Sequence, residues 1–163
     1  MCRELLSGSR TARLQRGLVE GGGQEALGVS CSRAWPGEKH GNCLVLQAVP
    51  ASNVSLEALD GALYRQVSAL AEDGPTLQEL QRAAKAAKLD VFDAMQSNSS
   101  MAAALCSHHV LTRSWRTFLR DIALLEELRP EDVRDVAARL FAPGNCFTGI
   151  VNAGRGGNGS LQP

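Results

Sequence analysis

The chain has 163 residues, 44% of them hydrophobic, and its 17 Lys and Arg balance 17 Asp and Glu. That length suits one domain with a buried core, and formal neutrality offers no long-range attraction to a polyanion or an anionic membrane surface. Nucleic acid is therefore not an expected partner, nor is membrane insertion, because charges interrupt every apolar run short of the roughly 18 to 20 residues a span needs.

Residues 3 to 20 carry Leu5, Leu6, Leu14, Leu18 and Val19 at mixed helical spacing around Ser7-Gly8-Ser9. The pattern predicts a short helix, a break, and a second helix from about Thr11 that ends at Gly21-Gly22-Gly23. Residues 25–33 and 43–49 are short and rich in Val, Leu and Cys. The segment between them, 35–42, has the Pro, Gly and Asn content of a turn, so two antiparallel strands are expected.

Ser55 stands as an N-cap ahead of Leu56, Leu59, Leu63, Val67 and Leu70, the spacing of one face of an amphipathic helix. Gly74-Pro75 stops it. Thr76-x-x-Glu79 is a capping box for the next helix, with Leu77, Leu80, Ala84, Val91 and Met95 along a partly apolar stripe. Ser97 to Ser100 breaks that run and can cap the next. Residues 101–111, 115–128 and 130–141 complete a helical block, the last with Pro130 where its missing amide proton costs nothing. A final strand is expected over Cys146 to Asn152, and residues 153–163 form a Gly-rich tail too polar to order itself.

The resulting fold class is α+β: helices packed on one face of a largely antiparallel sheet, within a single domain of residues 1–152. Three short strands make a thin sheet with sticky edges, so the chain is expected to complete it with a partner or with preceding sequence. The expected core joins Leu59, Leu63, Val67, Leu80, Phe118, Ile122, Leu125, Val133, Val136 and Leu140 to strand residues Val29, Leu44, Leu46 and Ile150.

Five cysteines (Cys2, Cys31, Cys43, Cys106, Cys146) are an odd number without a Cys-x-x-Cys pair. They are expected to be reduced and mostly buried, which points to a reducing compartment or an organelle interior such as a mitochondrion or plastid. The N-terminus has neither the apolar stretch of a signal peptide nor the composition of a transit peptide.

From about residue 3 to 152 the order of elements resembles the C-terminal, non-catalytic part of a half-molecule of the pitrilysin/insulinase family of zinc metallopeptidases. Arg13-Leu14 with Leu18-Val19-Glu20 resembles a family helix, and Ala26-Leu27-Gly28-Val29 the start of the strand behind it. Glu79-Leu80-Gln81-Arg82-Ala83 resembles a helix opening, with Ala84 where a lysine is usual and Lys85 the nearest. Pro130-Glu131-Asp132-Val133 resembles the final-helix opening, with Arg129 in place of a capping threonine. In the family a strand, a helix and a further strand come earlier, so the resemblance implies an N-terminally incomplete half.

The family's chemistry has no counterpart here. Two histidines one helical turn apart, a glutamate between them as general base and a distant glutamate as third ligand are all missing. His108-His109 are adjacent and splay by about 100 degrees on a helix. His40-x-x-Cys43 is a two-ligand fragment. The arginine and tyrosine that the non-zinc half contributes in active members correspond to Val19 and Val29, neither of which can donate to an oxyanion. No catalytic, metal or cofactor residue is therefore assigned in this chain; zinc belongs to the family's catalytic half.

Other motifs carry less. Gly21-x-Gly23 before Ala26 follows a helix and precedes a strand, the reverse of a dinucleotide fingerprint. Ser97 to Ser100 lacks a nearby base. Arg82, Lys85 and Lys88 form a basic helix face of the solvated kind, and Glu126-Glu127 with Glu131-Asp132 is an acidic corner that suits a helix N-terminus. Three readings follow. The first is an inactive segment that walls the peptide-binding chamber of a zinc-bearing half, with that half, a partner subunit or a second copy as partner and peptide or unfolded protein as substrate of the assembly. The second is a stand-alone pseudopeptidase scaffold resembling respiratory-complex core proteins, and the third an unrelated α+β binding domain.

Overall fold

The computed structural model describes residues 1–21, 24–34 and 43–151. Side-chain caps set the helical block in register. Ser55 accepts from the Ala58 amide at 3.1 Å and opens α2 (Leu56–Glu72). Thr76 and Glu79 cap each other's amides, at 3.2 and 2.8 Å, and open α3 (Leu77–Met95). Each bond satisfies an amide that the first helical turn leaves free. Ser97 caps the Ser100 amide, so the serine run is the start of a helix as well as a break. The remaining helices are α4 (Asn98–Thr112), α5 (Thr117–Glu127) and α6 (Pro130–Leu140). At α6 the missing threonine cap is half replaced: Asp132 reaches back to accept from the Arg129 amide at 2.9 Å.

Before α2 the chain forms α1 (Cys2–Ser7), a π-helical turn (Gln15–Val19) and the strands β1 (Ala26–Ala34) and β2 (Cys43–Pro50). The expected second helix from Thr11 is thus a single wide turn. Gly17 stands within it where α2 passes close, and a Cβ there would meet Gln66 Nε2 at 2.7 Å. The strands pair antiparallel with Val29 opposite Ala48 and Cys31 opposite Leu46, and a bulge near Leu27 shifts the register. The bulge leaves Leu27 exposed.

Cys146 to Val151 is not a strand, so among the described residues the sheet has two strands rather than three. Among the described residues no backbone hydrogen bond holds the segment, and Phe147, Ile150 and Val151 are exposed. Apolar, β-branched residues favour a strand only where a neighbouring edge accepts them. The remainder of that expected strand, Asn152, and the tail 153–163 lie outside the described residues.

The core lies between the inner sheet face and helices α1, α2, α3 and α6 together with the π-helical turn. Leu59, Val67, Leu80 and Val133 are buried as expected, and Phe118 of α5 is buried apart from the main cluster, against His108 of α4. Val136 and Ile150 are exposed instead, and Leu63, Ile122, Leu125 and Leu140 are half-buried. Their places are filled by Leu6, Leu14, Leu18 and Leu70, the largest fully buried side chains. No helix of the described residues is long and apolar enough to cross a membrane.

Candidate functional site

The positions where the resemblance would put catalytic donors hold apolar side chains in ordinary structural roles. Val19 ends the π-helical turn and Val29 lies on the inner face of β1; both pack half-buried against the core. His108 and His109 diverge as adjacent helical residues must. The His108 ring donates from Nδ1 to the Ala104 carbonyl at 3.0 Å, meets Phe118 edge-on at 5.2 Å, and brings Nε2 to 3.5 Å from Asp121 Oδ2. His109 is exposed. Among the described residues no three His, Cys, Asp or Glu side chains come together as a metal site would require. None of these described side chains forms a set that would hold the zinc ion the resemblance implies for a catalytic half.

The remaining sequence candidates disperse. His40 and the Gly22-Gly23 pair lie outside the described residues. Cys43 is exposed on β2, and only Cys31 of the five free thiols is buried, against the expectation that most would be. Burial pushes the Cys31 thiol up to about 11 and also raises Cys2, so both stay protonated and behave as small apolar groups. On the basic face Arg82 and Lys85 are exposed, whereas Lys88 pairs with Glu126 and ties α3 to α5. That partner holds the fully exposed Glu126 carboxyl below its usual range. At the acidic corner Asp132 acts as the cap described above.

Three features escape sequence reasoning. The first is a clasp. Arg13 donates to both carboxylate oxygens of Glu79, at 3.1 and 3.0 Å, and to the Gly74 carbonyl at 2.8 Å. Gly74 has φ +72°, a left-handed conformation glycine adopts without penalty, and it turns the chain between α2 and α3. Burial alone would raise the Glu79 carboxyl; hydrogen bonds from Arg13 and then the Thr76 amide outweigh it and bring the pKa to about 2. The clasp fastens the N-terminal segment to the helical block.

The second feature is an open apolar depression of about 490 Å³ lined by Leu105, Cys106, His109, Val110 and Trp115. Helix α4 buries none of its residues, and Arg116 lies 4.6 Å over the Trp115 ring. A signal was present in the sequence: α4 carries no Asp, Glu, Lys or Arg over its whole length. The third is the sheet edge. The Cys31 amide donates to Ser7 Oγ at 3.1 Å, so β1 turns that amide away from β2 and the end of α1 satisfies it at that one position. The outer edge of β2 has no such cover among the described residues.

No family model matches this chain, and no curated protein matches it. Solved structures do. A protein named as a zinc protease from Bordetella pertussis Tohama I is 18% identical, superposes with a TM-score of 0.70, and pairs 85% of this chain with 73% of its own. A structure named as the inactive peptidase domain of a zinc protease from Bordetella parapertussis is likewise 18% identical, with a TM-score of 0.69 over 84% of this chain and 72% of that one. The chain therefore has an α+β, zinc-protease-like fold.

Proposed function

We propose that this chain is a non-catalytic, peptidase-like segment that walls the peptide-binding chamber of a zinc-bearing half. The observation that carries the reading is the likeness of its fold to a structure named as an inactive peptidase domain. Two features of the residues agree with it. Val19 and Val29 offer no hydrogen bond to a developing oxyanion, and the described residues gather no three metal donors. What remains is a wall: a short sheet backed by helices.

The test combines the full-length chain with a zinc-bearing half-molecule of a peptidase of this fold and follows cleavage of a long fluorogenic peptide. The chain alone, supplied with zinc, leaves the peptide intact, and its addition lowers the KM of the zinc-bearing half for long peptides but not for short ones. Zinc-dependent cleavage by the chain alone, lost with a chelator, overturns the reading. Stable association that leaves KM unchanged favours the scaffold reading.

A further inference from the structure

Burial divides the helical block into two unequal parts. Helices α2 and α6 turn Leu59, Leu70, Val133 and Ala137 into the core, and α3 adds Leu80 and Ala83 from its first half. Beyond Lys88 the core stops. Among the described side chains of residues 89–128 only Phe118 is buried, and it meets His108 apart from the core cluster. Helices α4 and α5 pack chiefly on α3 and on each other. The chain leaves α3 through Ser97 (φ −115°, ψ 130°) and re-enters the body through Leu128 (φ −62°, ψ 133°), both extended. Between the two helices Arg113 is left-handed at φ +59°, a conformation that strains a side chain and suits glycine. Helix α4 has no Asp, Glu, Lys or Arg with which to form ion pairs along its own face, and α5 opens without a side-chain cap. At Leu128 the body resumes, because Leu128 packs against the core and Asp132 holds the Arg129 amide.

We propose that α4 and α5 form a hinged flap, residues 97–127, that opens from α3 as one unit while the sheet, α2 and α6 stay folded. Ser97 and Leu128 are the hinges, element-terminal positions that can absorb the backbone rotation. Segments with few buried apolar contacts open at free energies far below that of global unfolding. The contacts that shut the flap are correspondingly slight. Lys88 of α3 pairs with Glu126 of α5, at a surface where water and salt weaken the pair. Within the flap Phe118 meets the His108 ring edge-on at 5.2 Å, and the Thr112 and Thr117 hydroxyls join at 2.7 Å across the turn. Opening breaks the first of these contacts and keeps the other two, so α4 and α5 move together. The motion needs no partner and no zinc, and it is therefore independent of the peptidase-like reading.

The test follows amide exchange of the full-length chain by mass spectrometry under native conditions. Peptides from α4 and α5 exchange together, about a hundredfold or more faster than those from α2 and α6. Phe118→Ala removes the one buried side chain of the flap, and it speeds both helices by about tenfold while α2 and α6 keep their wild-type rates. Arg113→Gly relieves the left-handed turn and slows both helices together. Exchange in α4 and α5 as slow as in α2 overturns the proposal, since the helices would then open only with the whole chain. An effect of Phe118→Ala on α5 alone overturns it too, because it would show two separate helices in place of a unit. So does an increase that spreads to α2 and α6, which would place Phe118 in the global core. Exchange at the rate of an unfolded peptide, in wild type and Phe118→Ala alike, would show that no closed flap exists.

Discussion

Glu79→Gln removes the charge that Arg13 grips while keeping the shape of the side chain, and its effect should depend on pH in a defined way. The carboxyl falls from its ordinary 4.5 to about 2 in the folded chain. At roughly 1.4 kcal/mol per pH unit that difference is about 3 kcal/mol. The Glu79 side chain is 23% exposed and that of Arg13 16%, so screening by water reduces the figure to about 1 to 2 kcal/mol. Because the folded pKa is the lower one, this stability is fully present above about pH 4.5 and is lost as pH falls toward about 2. Urea unfolding of wild type and variant between pH 2 and 7 measures it. The difference should be about 1 to 2 kcal/mol at pH 6 and close to zero at pH 2, with amide exchange in the variant rising first around the π-helical turn. A difference that stays constant with pH, or no difference at pH 6, refutes the assignment of the clasp to this ion pair.

Leu14→Ala and Leu18→Ala should each cost about 2 to 5 kcal/mol in chemical denaturation, because both side chains are fully buried; Val136→Ala, at an exposed position, should stay within about 0.5 kcal/mol. Gly17→Ala should leave the melting temperature unchanged or raise it slightly, because its Cβ meets only the movable end of the Gln66 side chain while alanine favours the helical turn; a clear drop in a thermal melt would show that Gln66 is held in place. Zinc titrated into the chain should give no binding event that His108→Ala or His109→Ala removes, as read by calorimetry; a tight site lost in either variant would show that a histidine-based centre forms after all. Raising ionic strength should weaken the tie between α3 and α5, since Glu126 is fully exposed and its pairing with Lys88 is screened by salt.

The elements legible in the sequence are those whose cause is local. Ser55, the Thr76 and Glu79 box, and Pro130 each announce a helix start within four residues, and the hydrophobic face of α2 repeats long enough to define a stripe. The N-terminal core was not legible for the opposite reason. Leu5 and Leu6 sit on a six-residue helix, and Leu14 and Leu18 just before and within one wide turn, so both segments are too short to show by their spacing which side is buried. Cys146 to Val151 failed differently. Its composition suits a strand, but a strand exists only as one side of a ladder, and the ladder is a property of the whole fold.

The same distinction governs the site. A zinc motif can be sought in a sequence, because such a centre demands particular residues at fixed spacing. Surfaces are not readable in that way. Arg13 and Glu79 are separated by 66 residues, and neither stands out among the charged residues around it. The strand Cys43–Pro50 could be recognised as uncharged from the sequence, yet which of its amides are spare depends on two bonds made by other segments, at Ser7 and at Glu25. A one-residue change in that alternation would turn Val45 and Gln47 to the edge in place of Leu44, Leu46 and Ala48, and Pro50 would then remove an amide from the β1 ladder. The position of that proline agrees with the register that turns the backbone groups of Leu44, Leu46 and Ala48 away from β1.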